Sequence, residues 1–427
     1  MFKNTKIWQL IIVLFIIIIV TQFSSILNII LLWVEYVLLL ITDFSVAASQ
    51  TSFEILEHLF SCLMVIFLPI YFLFWGRKHK VFNAKIDFPS TVLVILAFFF
   101  FFSPIIITTH PEFQKNIGIT KLLPPLSKIN LLKLEVESKT ESSSLDRFLY
   151  SKKLAVKSSF DENVFFVDSI KTGKIIHYFQ NGKQHAISKD SLKIAGMSLL
   201  ISQKTFLLGT DEYGRDIFSR LVYGARISLF VGISAVVLSF LLGMLFGFAA
   251  GYFGGITNSI LNRLADTFLA FPSIFLIIII LALFGNSIFS VIIVLGFSGW
   301  MSLFKIVRAE VISLKQKDFF ISAEMIGLSN TKLLIKEVLP ILLTPITINL
   351  IFQFGNVILA EAALSYLGLG TGTNYPSWGN MIEAGQNYLK NAWWMIFFPG
   401  AILILTLYSA NDIGQKIKVH FNPQLQK

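Results

Sequence analysis

Charged residues are scarce in this chain of 427 residues: Asp, Glu, Lys and Arg make up 14%, against about 25% in an average soluble domain. Hydrophobic residues supply 55%, 43 residues are Phe, and the mean hydropathy is +0.73. Unbroken apolar runs such as 16–20 and 98–102 exceed what one water-soluble core of this size can bury. The sequence therefore predicts an all-α, multi-pass membrane protein.

Cysteine and the common catalytic motifs are missing as well. The single cysteine, Cys62, excludes an intramolecular disulfide and a cysteine-based zinc site. The sequence contains no G-x-x-x-x-G-K-[ST], H-E-x-x-H or G-x-S-x-G motif. No catalytic residue is predicted, and we expect neither an enzyme activity nor a bound cofactor in this chain itself.

The net charge of +10 would suggest a nucleic-acid partner in a soluble protein. Here the cations lie beside apolar spans, which fits the positive-inside rule and not nucleic-acid binding. The richest short clusters are Arg77, Lys78, Lys80 and Lys85, and Arg308, Lys315, Lys317, Lys332 and Lys336. We expect both clusters in the cytoplasm and residues 110–205 on the other side.

Apolar windows of about 20 residues are long enough to cross a bilayer as helices. They lie near 55–75, 90–109, 226–251, 273–286, 288–307, 343–367 and 394–412. Segment 7–42 is too long for one straight crossing: it is either two short spans turning at 21–25, or one span with an interfacial helix. With Lys3 and Lys6 inside, a single crossing is expected, which gives eight spans. A cleaved signal peptide is less favoured because the apolar run is too long.

Composition divides the chain into four parts. Residues 1–89 hold N-terminal apolar spans and a basic connector, 90–109 one further span, 110–205 a polar extracytoplasmic insertion, and 206–427 a compact membrane unit with short loops. Within the insertion, alternating segments at 163–170, 174–180 and 183–188 surround an Asn181-Gly182 pair, which predicts a small β-meander with a tight hairpin. Residues 135–144, rich in Ser, Glu and Lys, are expected to be mobile.

The hairpin also decides whether its histidines could bind a metal. A two-residue turn pairs Tyr178 with His185 and His177 with Ala186, which places the two imidazoles on opposite faces. No metal site is predicted.

Two features of the spans indicate helix packing or function. Small residues recur at every fourth position, at Ala235, Ser239, Gly243, Gly247 and Gly251, which predicts close approach of a neighbouring helix. The ionisable residues Glu35, Glu57, His58 and Glu361 lie in or near spans, where a charge is costly. Glu361 is the strongest candidate, with interfacial snorkelling as the alternative.

The loop 308–341 is the most informative cytoplasmic segment. It is predicted as two amphipathic helices separated by glycine, ending at Leu339-Pro340. Its apolar face comprises Phe319, Phe320, Ala323, Ile326 and Gly327. Such a face suits docking in a groove of another protein, and a helix lying passively at the membrane surface is the alternative.

Four blocks of residues resemble the C-type permease subunit of dipeptide, oligopeptide and nickel ABC importers. They are 208–229, the loop with Gly327 and Leu339-Pro340, 361–381, and Pro399-Gly400. Their motif and packing residues are Gly209, Asp211, Gly214, Arg215, Asp216, Gly224, Arg226, Gly243, Gly247, Gly251, Glu361, Gly368, Gly370, Trp378, Gly379 and Asn380. The resemblance covers roughly 205–423 and leaves 1–80 and 110–205 unmatched.

The resemblance implies a six-helix permease core in the cytoplasmic (inner) membrane, made of span 90–109 as its first helix and the five spans from 226 to 412. The spans within 1–89 would be extra to this core. It implies a second permease subunit in a heterodimer, two ATP-binding subunits that hold ATP and Mg²⁺, and an extracytoplasmic solute-binding protein. The ATPase-coupling residues would be Ile321, Ser322, Ala323, Glu324, Gly327, Leu328, Leu339 and Pro340. Ile321 stands where the family's E-A-A-x-x-x-G pattern has glutamate, and the tail 414–423 also departs from the family's pattern.

The function this implies is ATP-driven import of peptides, with nickel or peptide antibiotics as open alternatives. A secondary transporter or channel without an ATPase predicts polar groups near the bilayer midplane, yet spans 226–307 carry almost no charge there. A second alternative is a membrane-anchored sensor in which 110–205 is the binding module. It would leave the cytoplasmic loop and the 361–381 block without a role.

Overall fold

The computed structural model describes residues 5–76, 78–79, 82–136, 143–171, 173, 175–188, 197–326, 332, 338–372 and 375–421. The chain is mainly helical with a small β-containing insertion, as the sequence predicts. The helices are α1 Ile7–Thr21, α2 Phe23–Thr42, α3 Phe44–Gln50, α4 Phe53–Phe74, α5 Phe88–Ile106, α6 Ile117–Thr120, α7 Ser144–Ala155, α8 Ile217–Phe253, α9 Gly255–Ala270, α10 Ser273–Phe284, α11 Ile288–Leu314, α12 Asp318–Met325, α13 Leu339–Tyr366, α14 Trp378–Gly385 and α15 Trp394–Phe421.

Seven of the described helices are long and apolar enough to cross a bilayer: α2, α4, α5, α8, α11, α13 and α15. The predicted eighth span, 273–286, forms the 12-residue helix α10. At about 1.5 Å per residue this helix is roughly 18 Å long, short of the 30 Å hydrocarbon core. The residues next to the helix set its length: Pro272 precedes it, and Gly285, with φ of 79°, ends it.

Segment 7–42 forms one bent helix and not a pair of antiparallel spans. Helices α1 and α2 are separated by Gln22 alone, whose N–H donates to the carbonyl of Ile18 at 2.9 Å and whose carbonyl accepts from Ile26 N–H at 2.9 Å. Hydrogen bonds of the i to i−4 type on both sides continue the helical direction. This excludes the alternative in which the chain reverses at residues 21–25.

The contacts divide the chain into two units, of which the first comprises residues up to 87, 94–226 and 384–399. An apolar core in this unit joins α1, α2, α4, α5 and α7, and includes Phe15, Leu32, Ile55, Phe102 and Phe148. These side chains are at most 2% exposed. The two regions outside the resemblance, the N-terminal spans and the insertion, therefore share one core.

Helix α7 of the insertion lies against α2. Phe148 packs on Tyr36 with ring centroids 5.8 Å apart, and Arg147 Nε lies 3.7 Å from Glu35 Oε2. Ser143 caps α7 by accepting a hydrogen bond from Asp146 N–H. Part of the segment predicted to be mobile, 137–142, lies outside the described residues.

The insertion contains two three-stranded antiparallel sheets. The strands are β1 Ser127–Val136, β2 Val164–Val167, β3 Ser169–Lys171, β4 Ile175–Gln180, β5 Lys183–Ser188 and β6 Met197–Phe206. One sheet has the order β2-β1-β6 and the other β3-β4-β5. The predicted meander is thus present from β3 onward, whereas the segment before Asp168 joins the other sheet.

The hairpin between β4 and β5 has the predicted register. Tyr178 pairs with His185 and His177 with Ala186, and the turn residues Asn181 and Gly182 have φ of 50° and 74°. His177 contacts Gln184, and no group of three His, Cys, Asp or Glu side chains among the described residues could hold a metal ion.

The second unit comprises residues 88–93, 227–383 and 400 onward. In it α8 packs on α11 through three glycines of the small-residue pattern. A Cβ at Gly243, Gly247 or Gly251 would lie within 2.7–2.8 Å of the Cβ of Leu303, Val307 or Val311, respectively. The backbones approach this closely because glycine has no side chain, which is the packing that the pattern predicts.

Candidate functional site

The residues predicted to be functional fall into three sites, and the first is a buried ionic network formed by block 208–229. Asp211 organises the turn before α8: its Oδ1 accepts from the N–H groups of Tyr213 and Arg215, and its Oδ2 accepts from Arg215 Nε at 2.6 Å. Asp211 is 3% and Arg215 8% exposed. Such a buried pair is stable when its remaining polar groups are also satisfied.

Glu112 completes this network from a distant part of the chain. Its two carboxylate oxygens accept from Arg215 Nη1 at 2.6 Å and Arg220 Nη1 at 2.5 Å. Burial and the neighbouring Asp211 charge raise the pKa of Glu212, which lies 3.6 Å from Arg215. The motif is thus a charge-balanced tie between the start of α8 and the segment after α5.

Asp216 makes a second tie to the same segment. Its Oδ2 accepts from the hydroxyls of Ser219 at 2.7 Å and Thr108 at 3.0 Å. Both hydrogen bonds involve side chains within the first unit, so Asp216 holds the beginning of α8 against the chain that follows α5.

Two glycines of the block are required by the backbone. Gly209 and Gly214 have φ of 82° and 76°, in the left-handed region that favours glycine. A Cβ at Gly209 would lie 2.4 Å from the carbonyl oxygen of Leu123, and one at Gly214 would lie 2.0 Å from Thr120 Oγ1. Between them, the carbonyl of Thr210 accepts from Trp394 Nε1 at 3.1 Å.

Two half-buried lysines of the insertion bind the chain at the end of α5. Lys157 Nζ donates to the carbonyls of Pro104 and Ile107, and Lys204 Nζ donates to Thr109 Oγ1 at 3.2 Å. Burial lowers the pKa of each lysine to about 8, and at Lys157 the charge of Lys204 adds to the effect. A cation at the C-terminal end of a helix is favourable, which offsets part of the cost of burial.

Arg226 links the block to the N-terminal spans. Its Nη1 forms an ion pair with Glu57 Oε1 of α4, and Gly224 nearby is buried. An ionisable side chain within a span needs a partner, and Glu57 and Arg226 satisfy one another.

The second site surrounds Glu361 in α13. Glu361 is 0% exposed, which excludes interfacial snorkelling. Its Oε1 accepts from Ser365 Oγ at 2.8 Å and its Oε2 from Ser228 Oγ at 3.2 Å. The group joins α13 to α8 by hydroxyl hydrogen bonds.

The residues after Glu361 close over this carboxyl. Trp378 is 0% exposed and its N–H donates to Ser228 Oγ at 3.3 Å. A Cβ at Gly379 would lie 2.6 Å from the carbonyl oxygen of Ala362, and one at Gly370 would lie 2.1 Å from Ser365 Oγ. Both glycines are needed for this close packing.

Gly368 and Asn380 shape the chain between α13 and α14. Gly368 has φ of 75° and ends α13, with its N–H bound to the carbonyl of Ser365. Asn380 Nδ2 donates to the carbonyl of Gly372 at 3.1 Å. The described residues of the 361–381 block therefore fold back as a cap on the end of α13.

The third site is the coupling segment. Helix α11 continues to Leu314 because Val311 and Leu314 are buried, so the segment begins later than residue 308. Phe320 of α12 is fully buried and joins the core of Val307, Val311 and Leu342. The predicted apolar face is therefore wrong in this respect: Phe320 anchors α12 to its own chain.

Four large apolar side chains of α12 and its end are exposed. Phe319 and Ile321 are 41% and 40% exposed, and Met325 and Ile326 are each 82% exposed. Ser322 Oγ donates to the carbonyl of Asp318 at 2.8 Å. Ala323 and Glu324 belong to α12, and Leu339 and Pro340 begin α13; Gly327 and Leu328 lie outside the described residues.

Sequence reasoning missed several members of these sites. Glu112 stands alone between Pro111 and Phe113, far from the block it neutralises, and carries no signal of its own. Arg220, Ser228, Ser365 and Ser377 lie inside or beside the two specific blocks. For these four, their position in the blocks was a usable signal.

Comparisons with known proteins identify the family of the chain. Residues 243–419 match the family described as binding-protein-dependent transport system inner membrane component. The oligopeptide transport system permease protein OppC of Bacillus subtilis is 35% identical over 224 residues, which are 52% of this chain and 73% of that protein. The di/tripeptide transport system permease protein DppC of Pseudomonas aeruginosa is 34% identical over 52% of this chain and 74% of that protein.

A solved structure of the MetNI methionine ABC transporter in inward facing conformations is similar at 13% identity, with a TM-score of 0.38 and coverage of 47% of this chain and 97% of that chain. The fold and the curated relatives define a multi-pass membrane permease. The chain belongs to the family of binding-protein-dependent transport system inner membrane components, which confirms the family predicted from the four blocks.

Proposed function

We propose that this chain is a transmembrane subunit of an ATP-driven importer that carries peptides across the cytoplasmic membrane. The relatives named for oligopeptide and di/tripeptide transport support the substrate class. The chain would pair with a second permease subunit in a heterodimer, receive substrate from a solute-binding protein, and contain no ATPase site. Two partner ATPases would bind ATP and Mg²⁺.

The observation that carries the proposal is the exposed apolar surface of α12. Phe320 holds the helix to the membrane core, while Ile321, Met325 and Ile326 face outward with no covering side chain of the described part of this chain. Four large apolar residues exposed together, counting Phe319, are typical of a protein interaction site. This surface would bind in a groove of a partner ATPase.

Phe320 supplies the physical link between docking and transport. It packs on Val307 and Val311 of α11 and near Leu342 of α13. A movement of α12 with a partner ATPase would therefore be transmitted to two membrane helices by direct contact. The ATPases would bias an equilibrium between outward-open and inward-open forms, since closely packed helices have discrete arrangements and do not deform continuously.

Co-purification of the detergent-solubilised complex tests this proposal. Ile321→Asp and Met325→Asp place a charge on the exposed surface without disturbing Phe320, and we expect them to lose the ATPases. Ile175→Asp is a matched control, because Ile175 is 48% exposed and lies in the insertion; it should retain them.

Two results would contradict the proposal. One is retention of the ATPases by both α12 variants at the level of the parent chain. The other is solute movement by the purified chain alone in liposomes without ATP, which would favour the secondary transporter.

A further inference from the structure

Helix α13 carries a polar stripe at the middle of its length. Asn349, Gln353 and Asn356 follow one another at spacings of four and three residues, which places them within about 60° of each other around the helix. Asn356 is exposed and Asn349 and Gln353 are half-buried. By contrast, the exposed side chains midway along α4 are apolar, as at Leu63 and Phe67.

Helix α11 presents a matching stripe beside it. Ser298, Ser302 and Lys305 also follow at spacings of four and three residues. Asn349 Nδ2 donates to Ser302 Oγ at 3.3 Å, which joins the two stripes near the centre of both helices. Lys305 is paired with Asp266 at 2.8 Å, so the central part of the surface is neutral.

Ser302 and Asn356 are the exposed neutral side chains of the two stripes, whereas the amide of Gln353 is enclosed beside Gly299 of α11. Oε1 and Nε2 of Gln353 and Oδ1 of Asn349 are enclosed by the chain itself and have no hydrogen-bond partner among the described residues. An amide without a partner is strongly unfavourable in hydrocarbon, where water cannot replace the missing bond. Polar side chains at this depth therefore face a partner or a water-filled space and not lipid.

The opposite face of α13 has a different character. Leu350, Ile351 and Phe354 line an apolar cavity of about 270 Å³ together with Leu93 and Ile413. One helix thus separates an apolar surface from a polar one at the same depth. Contact with lipid or an apolar helix suits the first surface, and water suits the second.

We propose that the exposed side chains Ser302 and Asn356 line the water-filled translocation path and bind the backbone of the transported peptide, with Asn349 holding Ser302 in place. The inference rests on the peptide-importer function proposed above. Amide and hydroxyl groups both donate and accept hydrogen bonds, as the N–H and C=O groups of a peptide do. A neutral surface of this kind recognises the backbone and is indifferent to peptide side chains, which suits substrates of varied sequence.

Cysteine labelling of the intact complex in nanodiscs tests the accessibility of the stripe. The single native cysteine, Cys62, is 2% exposed, and a Cys62→Ala parent gives a cysteine-free chain. Ser302→Cys and Asn356→Cys are added to it separately. We expect a charged methanethiosulfonate reagent to label both at least ten times faster than the matched control Ile351→Cys, which lies on the apolar face.

Protection by trialanine tests the ligand. We expect trialanine, supplied with the solute-binding protein, to slow labelling of Ser302→Cys and Asn356→Cys at least threefold. Asn356→Leu should raise the concentration for half-maximal uptake at least threefold, whereas Ile351→Leu should not change it.

The outcomes separate this inference from the proposed function. If the Cys62→Ala parent imports trialanine but both stripe cysteines label no faster than Ile351→Cys, the stripe is not in the path and the inference is wrong, while the importer function stands. If labelling is fast but trialanine gives no protection in a transporting parent, the path is supported and backbone binding is overturned. If the parent fails to import peptide while labelling remains fast, the peptide function fails and the water-filled path stands.

Discussion

Gly247→Ala is the substitution whose effect follows most directly from the packing of α8 on α11. The added Cβ would lie 2.7 Å from Val307 Cβ and 3.0 Å from the carbonyl oxygen of Phe304. Carbon atoms in ordinary contact are about 3.5–4.0 Å apart, so the two helices must separate by roughly 1 Å. The neighbouring contacts at Gly243 and Gly251 would loosen with it.

The magnitude follows from two opposing effects. Forced overpacking costs about 1–3 kcal/mol, and replacing glycine by alanine within a helix returns up to about 1 kcal/mol. We expect Gly247→Ala to lower the free energy of unfolding by about 1–2 kcal/mol. Gly400→Ala is the matched control: Gly400 lies in α15 and a Cβ there meets no atom within 4 Å, so the helix effect alone remains and stability should stay the same or rise.

Unfolding of the purified chain in mixed detergent micelles, titrated with sodium dodecyl sulfate and followed by circular dichroism, measures both variants. The close-packing argument would be refuted if Gly247→Ala matched the parent within about 0.3 kcal/mol, which is the size of ordinary surface effects. It would equally fail if Gly400→Ala were the more damaging change.

Three further predictions use the same titration. Glu112→Gln should cost about 2–4 kcal/mol, because Arg215 and Arg220 lose the carboxylate that neutralises them; Glu112→Gln and Arg220→Met combined should cost less than the sum of the two, and strict additivity would contradict the network. Glu361→Gln should stay within about 1 kcal/mol of the parent while Glu361→Ala costs about 2–4 kcal/mol, since the amide oxygen can accept from one of the hydroxyls of Ser365 and Ser228 and the amide NH2 can donate to the other; equal losses would exclude hydrogen bonding as the cause. The pKa of Lys204 is about 8 in the folded chain against 10.5 ordinarily, so between these pH values the folded state binds fewer protons than the unfolded state. Stability should therefore rise with pH above about 8, by at most about 3 kcal/mol. Lys204→Met should flatten this rise, and an unchanged slope would show that other groups cause it.

Local pattern was sufficient for the class of protein and for individual elements. Low charge and long apolar runs predict membrane helices because the bilayer requires about 20 apolar residues for each crossing. Asn181-Gly182 predicts the hairpin register since the turn needs two residues with positive φ. The glycine pattern from Gly243 to Gly251 predicts a close helix contact for an equally local reason.

Apolar periodicity says less about which neighbour a face meets. Phe320 and Ile321 are adjacent apolar residues of one short helix, yet Phe320 is 0% exposed and Ile321 is 40% exposed. Only the position of α12 beside α11 and α13 separates them. The sequence alone therefore predicts a docking face but assigns its anchor residue incorrectly.

The sequence by itself determined the membrane class, the family and the turn chemistry, because each is encoded in a short stretch of chain. The tertiary structure alone decided the partners of charged groups: Glu112 lies more than 100 residues from Arg215 and Arg220, and Glu361 meets Ser228 across 133 residues. It also decided the pairing of β1 with β6 and the packing of α7 on α2. Contacts between distant segments depend on how all the helices pack together, and no local spacing records that arrangement.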